Sequence, residues 1–364
     1  MTQTNHLKKT QQHPILIMAG GTGGHVYPAL AIAEALRIQD IAICWLGTRR
    51  GLEARVVPAA NIEIKYISIN GLRGKGWLSL LTAPFKMALA LWQSLRVLRA
   101  LRPTAVVGMG GFVTGPGGIA AWLLRIPLII HEQNAIAGLT NRWLARIATT
   151  VMEAFPKTLP KAVHTGNPLR ANILATTPQI PRQEHKPLRV LIIGGSLGAK
   201  MLNETVPTAL RKVQGTLEVW HQTGNAHIEI MQQAYEGVPF KASVEAFIED
   251  MAAAYTWADI VICRAGAITI SELAQVGVAS ILVPYPYAVD DHQTRNAQFL
   301  SENGAAILLP QTAFTEQKLA LLIEELYNNP DQLQAMSGAA RKCAMPAALQ
   351  NVVDLVIKNQ SSRF

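Results

Sequence analysis

The sequence predicts two tandem α/β domains, each built on a doubly wound parallel sheet, with the two facing a central cleft. Three observations carry this. Short apolar runs repeatedly end in glycines and lead into helical stretches. Those runs are continuously apolar rather than alternating, as strands covered on both faces are. The device then restarts: the Gly20-Gly21 pair recurs as Gly194-Gly195, 174 residues on, after a proline-rich stretch from Pro168 to Pro187. A chain of 364 residues has room for two such domains.

Taken in order, Pro14–Ala19 reads as a strand, Gly20–Gly24 as a loop, Tyr27–Gln39 as a helix and Ile41–Leu46 as the next strand. Thr104–Val107 runs into Gly108, Gly110 and Gly111, and Pro127–Ile130 runs into His131-Glu132-Gln133-Asn134. The second half opens with the strand Leu188–Ile193, the loop Gly194–Gly198 and the helix Ala199–Val213. Strands at Leu217–His221, Val244–Phe247, Asp259–Cys263 and Ser280–Pro284 follow. The domains are placed at 14–170 and 171–345, and the last helix, 346–364, is expected to cross back onto the first. Ligands of such sheets bind beyond the carboxyl ends of the strands, so the glycine-ended strands mark the functional edge.

Charge is unevenly spread. The net +9 resolves into 19 basic and 6 acidic residues in 1–170, net +13, against 14 and 18 in the remainder, net −4. That asymmetry points to a polyanionic partner for the front half alone. Between Ile64 and His131 there is no Asp or Glu, while eight basic residues are interleaved with Trp77, Leu78, Leu81, Phe85 and Trp92. Cations beside apolar side chains, here Arg73, Lys75 and Lys86, fit an element lying on an anionic membrane surface. A core helix with solvated basic residues is the plainer reading. No stacking motif accompanies the charge, so nucleic acid is not expected. The polar residues 1–13 lack the apolar region of a secretory signal, and no apolar run is long enough to span a bilayer. The expectation is a cytoplasmic, peripheral protein. The three cysteines, Cys44, Cys263 and Cys343, form no C-x-x-C and suggest neither disulfides nor zinc.

The glycine loops carry the chemistry. Gly20–Gly24 lets a backbone approach a ligand closely at the positive end of a helix. Its spacing is not G-x-G-x-x-G, and Cys44–Thr48 offers no ribose-binding acid, which argues against a dinucleotide cofactor. His25 is the one titratable group in that loop and a candidate proton acceptor, although a lone histidine is commonly structural. Arg264–Glu272 opens another helix after a strand, with Glu272 one turn in, placed either to hold a ribose diol or to cap the helix. No set of His, Asp or Glu has metal-ligand spacing, so neither a metal nor another cofactor is expected.

Seven motifs in series complete the reading: Gly20–Pro28 (GGTGGHVYP), Gly108–Gly118 (GMGGFVTGPGG), His131–Asn141 (HEQNAIAGLTN), Gly166–Arg170 (GNPLR), Gly194–Ala199 (GGSLGA), Arg264–Glu272 (RAGAITISE) and Asp291–Ala297 (DHQTRNA). From residue 14 onward the sequence resembles the MurG family, the peptidoglycan N-acetylglucosaminyltransferases that convert lipid I to lipid II. The resemblance implies two Rossmann-like domains in the GT-B arrangement and inverting, metal-independent transfer from UDP-N-acetylglucosamine to an undecaprenyl-linked muramoyl-pentapeptide. It further implies a place on the cytoplasmic face of the inner membrane, in company with cell-wall synthesis and division proteins. On the donor side it implies roles for Ile248 at the uracil and Glu272 at the ribose. Ser196, Ala267, Ile268 and Thr269 correspond to its diphosphate-binding loops, Ile270 and Ser271 to further donor-binding positions, Gln293 to a sugar contact, and Asn134 and Arg170 to groups facing the cleft. Gly21, Gly110 and Gly111 fall on the acceptor side; Thr22, Gly23 and Gly24 lie on the same loop and also reach the donor. His25 is the implied general base, with Glu132 or His131 in reserve.

Overall fold

The structure is a computed structural model that describes residues 13–69, 77–176, 186–195 and 198–360, with the backbone alone for 77–81. The chain divides into two compact units. The first runs to Gln133 and adds Ala137–Pro168 and the segment from Ala347; the second comprises Asn134–Ile136 and Leu169–Pro346. Leu169 and Arg170 thus group with the second unit, as do three residues of the loop after His131.

The first unit alternates strand and helix in the order β1 (Ile15–Met18), α1 (Gly23–Ile38), β2 (Ile43–Gly47), α2 (Glu53–Ala59), β3 (Glu63–Tyr66), α3 (Trp77–Leu101), β4 (Ala105–Gly108), α4 (Thr114–Leu123), β5 (Leu128–Glu132), α5 (Leu139–Leu144), β6 (Thr150–Glu153) and β7 (Val163–His164). Its strands are all parallel, in the order β3-β2-β1-β4-β5-β6-β7. The continuous apolar pattern is explained by the two faces of β1. Ile15 and Ile17 pack with α1 on one side, and Leu16 and Met18 pack with Leu98 of α3 and Ala120 and Ala121 of α4 on the other.

The second unit continues with α6 (Ala171–Leu174), β8 (Leu188–Ile193), α7 (Lys200–Leu210), β9 (Leu217–Gln222), α8 (Ile228–Ala234), β10 (Lys241–Glu245), α9 (Met251–Trp257), β11 (Ile260–Cys263), α10 (Ala267–Val276), β12 (Ala279–Leu282), α11 (His292–Ser301), β13 (Ala306–Leu308), α12 (Glu316–Asn328) and α13 (Pro330–Lys342). Its parallel sheet runs β10-β9-β8-β11-β12-β13. The last helix, α14 (Ala348–Lys358), belongs to the first unit, where Val352, Val353 and Val356 join the core formed by α1 and β1.

Two expected elements are shifted. Helix α1 begins at Gly23 rather than Tyr27, with Thr22 as its N-cap. The first amides of a helix need no partner within it, so glycines can form the opening turn. His25 therefore lies in a helix and not in a loop. Strand β10 ends at Glu245, opposite Gln222, instead of covering Val244–Phe247. Its ladder stops where β9 stops, and the apolar Ile248 beyond it is buried in a loop. Cys44 and Cys263 lie buried in their sheets, and burial pushes the Cys44 thiol up to about 11.

A buried polar chain ties the second unit's sheet to its helices. His221 is fully enclosed; its Nδ1 accepts from the Tyr235 hydroxyl at 2.9 Å and its Nε2 donates to Asn203 Oδ1 at 3.1 Å. Burial pushes its pKa down to about 3. An unfolded histidine titrates near 6.5, so between these values the unfolded chain binds a proton that the folded one refuses. The stability contributed by the neutral ring is complete above pH 6.5 and is lost as the pH falls toward 3. Between pH 7.5 and 5 this site should cost about 2 kcal/mol, and His221→Gln should remove that share of the pH dependence. Denaturant titrations of both proteins at the two pH values measure it; identical pH dependence would mean that His221 plays no part.

Candidate active site

In each unit the strand order reverses beside one central strand, and a crevice opens there at the carboxyl edge. In the first unit the reversal falls between β1 and β4, flanked by Gly20–Gly24 and Met109–Val113. The two loops pass so closely that a Cβ on Gly111, whose φ is +82°, would collide with the Gly20 carbonyl oxygen. A Cβ on Gly110, at φ +98°, would stand 2.9 Å from the His25 ring. Only glycine fits either position.

One carboxylate that sequence reasoning missed shapes this edge. Glu53, fully buried at the start of α2, accepts from the amides of Gly21 (3.0 Å) and Thr48 (2.9 Å) and from the Thr48 hydroxyl (2.7 Å). It stands in the second βα connection, yet it fixes the first glycine loop. Gly20, Gly21, Thr48, Arg50, Gly51, Ile69, Phe112 and Val113 line a cavity of about 190 Å³ beside it.

His25 is half-buried in the first turn of α1, and its Nδ1 lies 2.8 Å from Gln133 Oε1. The Gln133 amide nitrogen in turn reaches His131 Nδ1 (3.1 Å) and the His131 carbonyl (3.0 Å), while His131 Nε2 meets the Gly166 carbonyl at 2.9 Å. His131 is fully buried, and desolvation lowers its pKa to about 4. Both ring nitrogens being engaged, His131 is held as a neutral strut and is no proton acceptor. Glu132 is 2% exposed, and its Oε2 accepts from Gly138 N (3.1 Å) and Asn141 Nδ2 (2.9 Å). Its position is that of a carboxylate holding the loop after β5.

In the second unit the reversal falls between β8 and β11. Ser196 lies outside the described residues. Gln222, 3% exposed and also missed in the sequence, spans this edge: its amide donates to the Gly195 carbonyl (2.9 Å), and its Oε1 accepts from the Ile248 amide (3.2 Å). The ladder of α10 begins with Ile270 N–H donating to Gly266 O, so Ala267, Ile268 and Thr269 form its positive end. The side chain of Ile270 is core, and the Ser271 hydroxyl donates back to the Ala267 carbonyl (3.1 Å).

Glu272 is 6% exposed; Oε1 accepts from Arg170 Nη2 (3.2 Å) and Oε2 from the Tyr255 hydroxyl (3.0 Å). Burial raises its pKa, and Arg170 pulls against that shift. It is therefore a held carboxylate rather than a cap, with each oxygen keeping a second lone pair. Asn296, fully buried on α11, donates to Asn134 Oδ1 (3.3 Å) and to the Ala265 carbonyl (3.1 Å) and accepts from Ala135 N (2.8 Å). Gln293, also on α11, accepts from Tyr285 N (2.9 Å).

The membrane-facing residues expected from sequence fall mostly at the start of α3. Arg73 and Lys75 lie outside the described residues, as do the side chains of Trp77, Leu78 and Leu81. Phe85 and Lys86 are exposed. Phe85, Leu89, Trp92 and Arg96 follow helical spacing along one stripe, and Arg96 lies over the Trp92 ring at 5.8 Å. Exposed Trp122 on α4 and Trp143 on α5 add aromatic surface that sequence reasoning did not single out. Among the described residues no helix is long and apolar enough to cross a membrane.

Two doubly wound domains with glycine-rich crevices, the second with a helix mouth and a held carboxylate at its edge, are the parts of a GT-B glycosyltransferase. Residues 15–153 match the glycosyltransferase family 28 N-terminal domain and residues 189–352 match its C-terminal domain. The chain belongs to that family, in its MurG branch. A relative from Alkalilimnicola ehrlichii is 52% identical over 95% of this chain and 98% of its own length. Another, from Ectopseudomonas mendocina, is 51% identical over 94% and 97%. Both are named UDP-N-acetylglucosamine--N-acetylmuramyl-(pentapeptide) pyrophosphoryl-undecaprenol N-acetylglucosamine transferase. The crystal structure of Acinetobacter baumannii MurG superposes with a TM-score of 0.82 at 46% identity, covering 95% of this chain and all of that one. The glycosyltransferase of kitacinnamycin, at 15% identity and a TM-score of 0.71, shares the fold alone.

The loop crossing yields a stability test. Gly111→Ala should cost roughly 1–3 kcal/mol through backbone strain and overlap with Gly20. Gly115→Ala, inside α4 and meeting only Thr140 at 3.6 Å, should be neutral or stabilising. Urea midpoints of the two variants separate these outcomes.

Proposed function

We propose that this protein transfers N-acetylglucosamine from UDP-N-acetylglucosamine to the carbon-4 hydroxyl of undecaprenyl-diphospho-N-acetylmuramoyl-pentapeptide, converting lipid I to lipid II. The observation that carries the reading is near-full-length identity of about half to relatives of that name. The site residues support it. The donor lies on the second unit, with uracil at the backbone of Ile248 and the ribose diol on the spare lone pairs of Glu272. The diphosphate meets the Ala267–Thr269 end of α10, with Ser196 on the neighbouring glycine loop. Asn134, Arg170 and Gln293 border the sugar, and Gly21–Gly24 with Gly110 and Gly111 receive the acceptor.

The muramoyl oxygen attacks the anomeric carbon from the face opposite UDP, giving a β-1,4 link with inversion. His25 takes the hydroxyl proton. Charge developing on UDP is met by the helix end. Transfer without a metal is part of this proposal.

The test is transfer of labelled N-acetylglucosamine to a lipid I analogue in the presence of EDTA. Turnover should persist, and His25→Ala should lower kcat by about 10²–10⁴-fold with UDP affinity unchanged. Collapse of UDP binding together with activity would place His25 in the donor site instead.

The acceptor is lipid-anchored, so the enzyme works at the cytoplasmic face of the inner membrane, as a peripheral protein. The Phe85–Leu89–Trp92 stripe and the surrounding cations form the contact. Binding to anionic vesicles should be strong at low salt and fall as salt rises, since each basic residue adds about 1 kcal/mol at most. Phe85→Ser with Trp92→Ser should weaken vesicle binding and leave turnover of a water-soluble short-chain acceptor intact. Cosedimentation and the soluble assay measure the two; equal loss in both would assign the stripe to folding.

A further inference from the structure

We infer that Gln133 is a positioning residue that sets the tautomer of His25, placing the ring proton on Nδ1 and leaving Nε2 to accept the proton of the attacking hydroxyl. The inference rests on the reading of His25 as the general base and adds to it the group that selects the reacting nitrogen.

The argument starts from a backbone atom. The Gly166 carbonyl can only accept a hydrogen bond, so His131 Nε2, 2.9 Å away, must carry hydrogen. Complete burial keeps the His131 ring neutral, which leaves Nδ1 as a bare lone pair. The group 3.1 Å from that lone pair must donate, and it is the Gln133 amide nitrogen, whose other hydrogen meets the His131 carbonyl at 3.0 Å. The orientation of the Gln133 side chain is thereby settled. Its oxygen faces His25 Nδ1 at 2.8 Å and can only accept, so Nδ1 of His25 is protonated. Turning the amide over would set Gln133 oxygen against both the His131 carbonyl and the His131 Nδ1 lone pair. The Asn167 side-chain amide, donating to the Gln133 backbone carbonyl at 3.1 Å, holds the residue from its main chain.

The consequence for the reaction is specific. As the acceptor O–H bond breaks, its proton passes to His25 Nε2. The oxygen bonds to the anomeric carbon while the bond from that carbon to the diphosphate oxygen breaks, its electron pair leaving with UDP. His25 becomes an imidazolium whose Nδ1–H remains on the Gln133 oxygen. In the other tautomer Nε2 would carry hydrogen and could accept nothing.

The test reads the tautomer directly. Long-range proton–nitrogen NMR on ¹⁵N-histidine-labelled protein near pH 8, with the His25 signals identified by their loss in His25→Asn, distinguishes Nδ1–H from Nε2–H. The wild type should show Nδ1–H. Gln133→Met should lose that preference and lower kcat by up to the ~10²–10⁴-fold that a general base supplies, with the donor KM unchanged. An Nε2–H ring in the wild type, or an unchanged tautomer in Gln133→Met, overturns the inference whatever the activities. A tautomer that shifts in Gln133→Met without loss of kcat upholds the positioning by Gln133 and overturns the assignment of His25 as base.

Discussion

A strand buried on both faces has no side chain to spare for chemistry, and the rest of this structure follows from that constraint. Every side chain of β1 is in the core, divided between two helical layers. Function is therefore displaced beyond the carboxyl ends, where backbone, glycine and helix termini must supply what the strand cannot. The consequence is the same in both units. Helices α1 and α10 start within a few residues of a central strand, so their positive ends open on the crevice.

Displacing chemistry into loops creates a second problem, since loops packed on a sheet edge bury polar groups that have lost water. Here the solution is a small number of long polar side chains that each satisfy several of those groups. Glu53 takes three donors from two loops, Gln133 joins two histidines, and Gln222 joins the Gly195 and Ile248 segments. Such networks are cooperative when complete and costly when broken. Both units also keep a buried neutral histidine at the carboxyl end of a strand, His131 on β5 and His221 on β9. Neutrality makes each ring a fixed donor–acceptor pair, a direction-setting element that a charged ring could not be.

This division decides what could be read in the sequence. The strands, the glycine loops and the tandem repeat were legible because burial and close approach restrict residue type at each position locally. The strands β3, β6, β7 and β13 were not recognised: β3, β6 and β7 mix polar with apolar residues, and β13 is only three residues long. The start of α1 was misplaced because glycine punctuates loops more often than it opens helices. The connecting residues were illegible for a different reason. Nothing in the residue type distinguishes Glu53 from any acid at a helix start; its distant partner, Gly21, is brought to it by the pairing of β1 with β2. Gln133 stood in a recognised motif, yet its task depends on His25, 108 residues away.

The charge asymmetry takes on a sharper meaning in three dimensions. Of the six carboxylates in residues 1–170, Glu53, Glu132 and Glu153 are buried and occupied as acceptors, Glu153 by the amides of Lys157 and Leu159. Only Glu34, Asp40 and Glu63 face outward, and Glu63 is paired with Lys65. Among the described residues of 13–170 the solvated charge is thus mostly cationic, and the acid-free stretch supplies α3, the helix that also bears exposed Phe85, Leu89 and Trp92. Long-range attraction to an anionic surface needs uncompensated charge, whereas residence in its interfacial layer needs apolar area. Withdrawal of acids into the loop networks thus leaves uncompensated cations and exposed aromatic side chains together on one unit, so the packing of the crevice also decides the character of the surface.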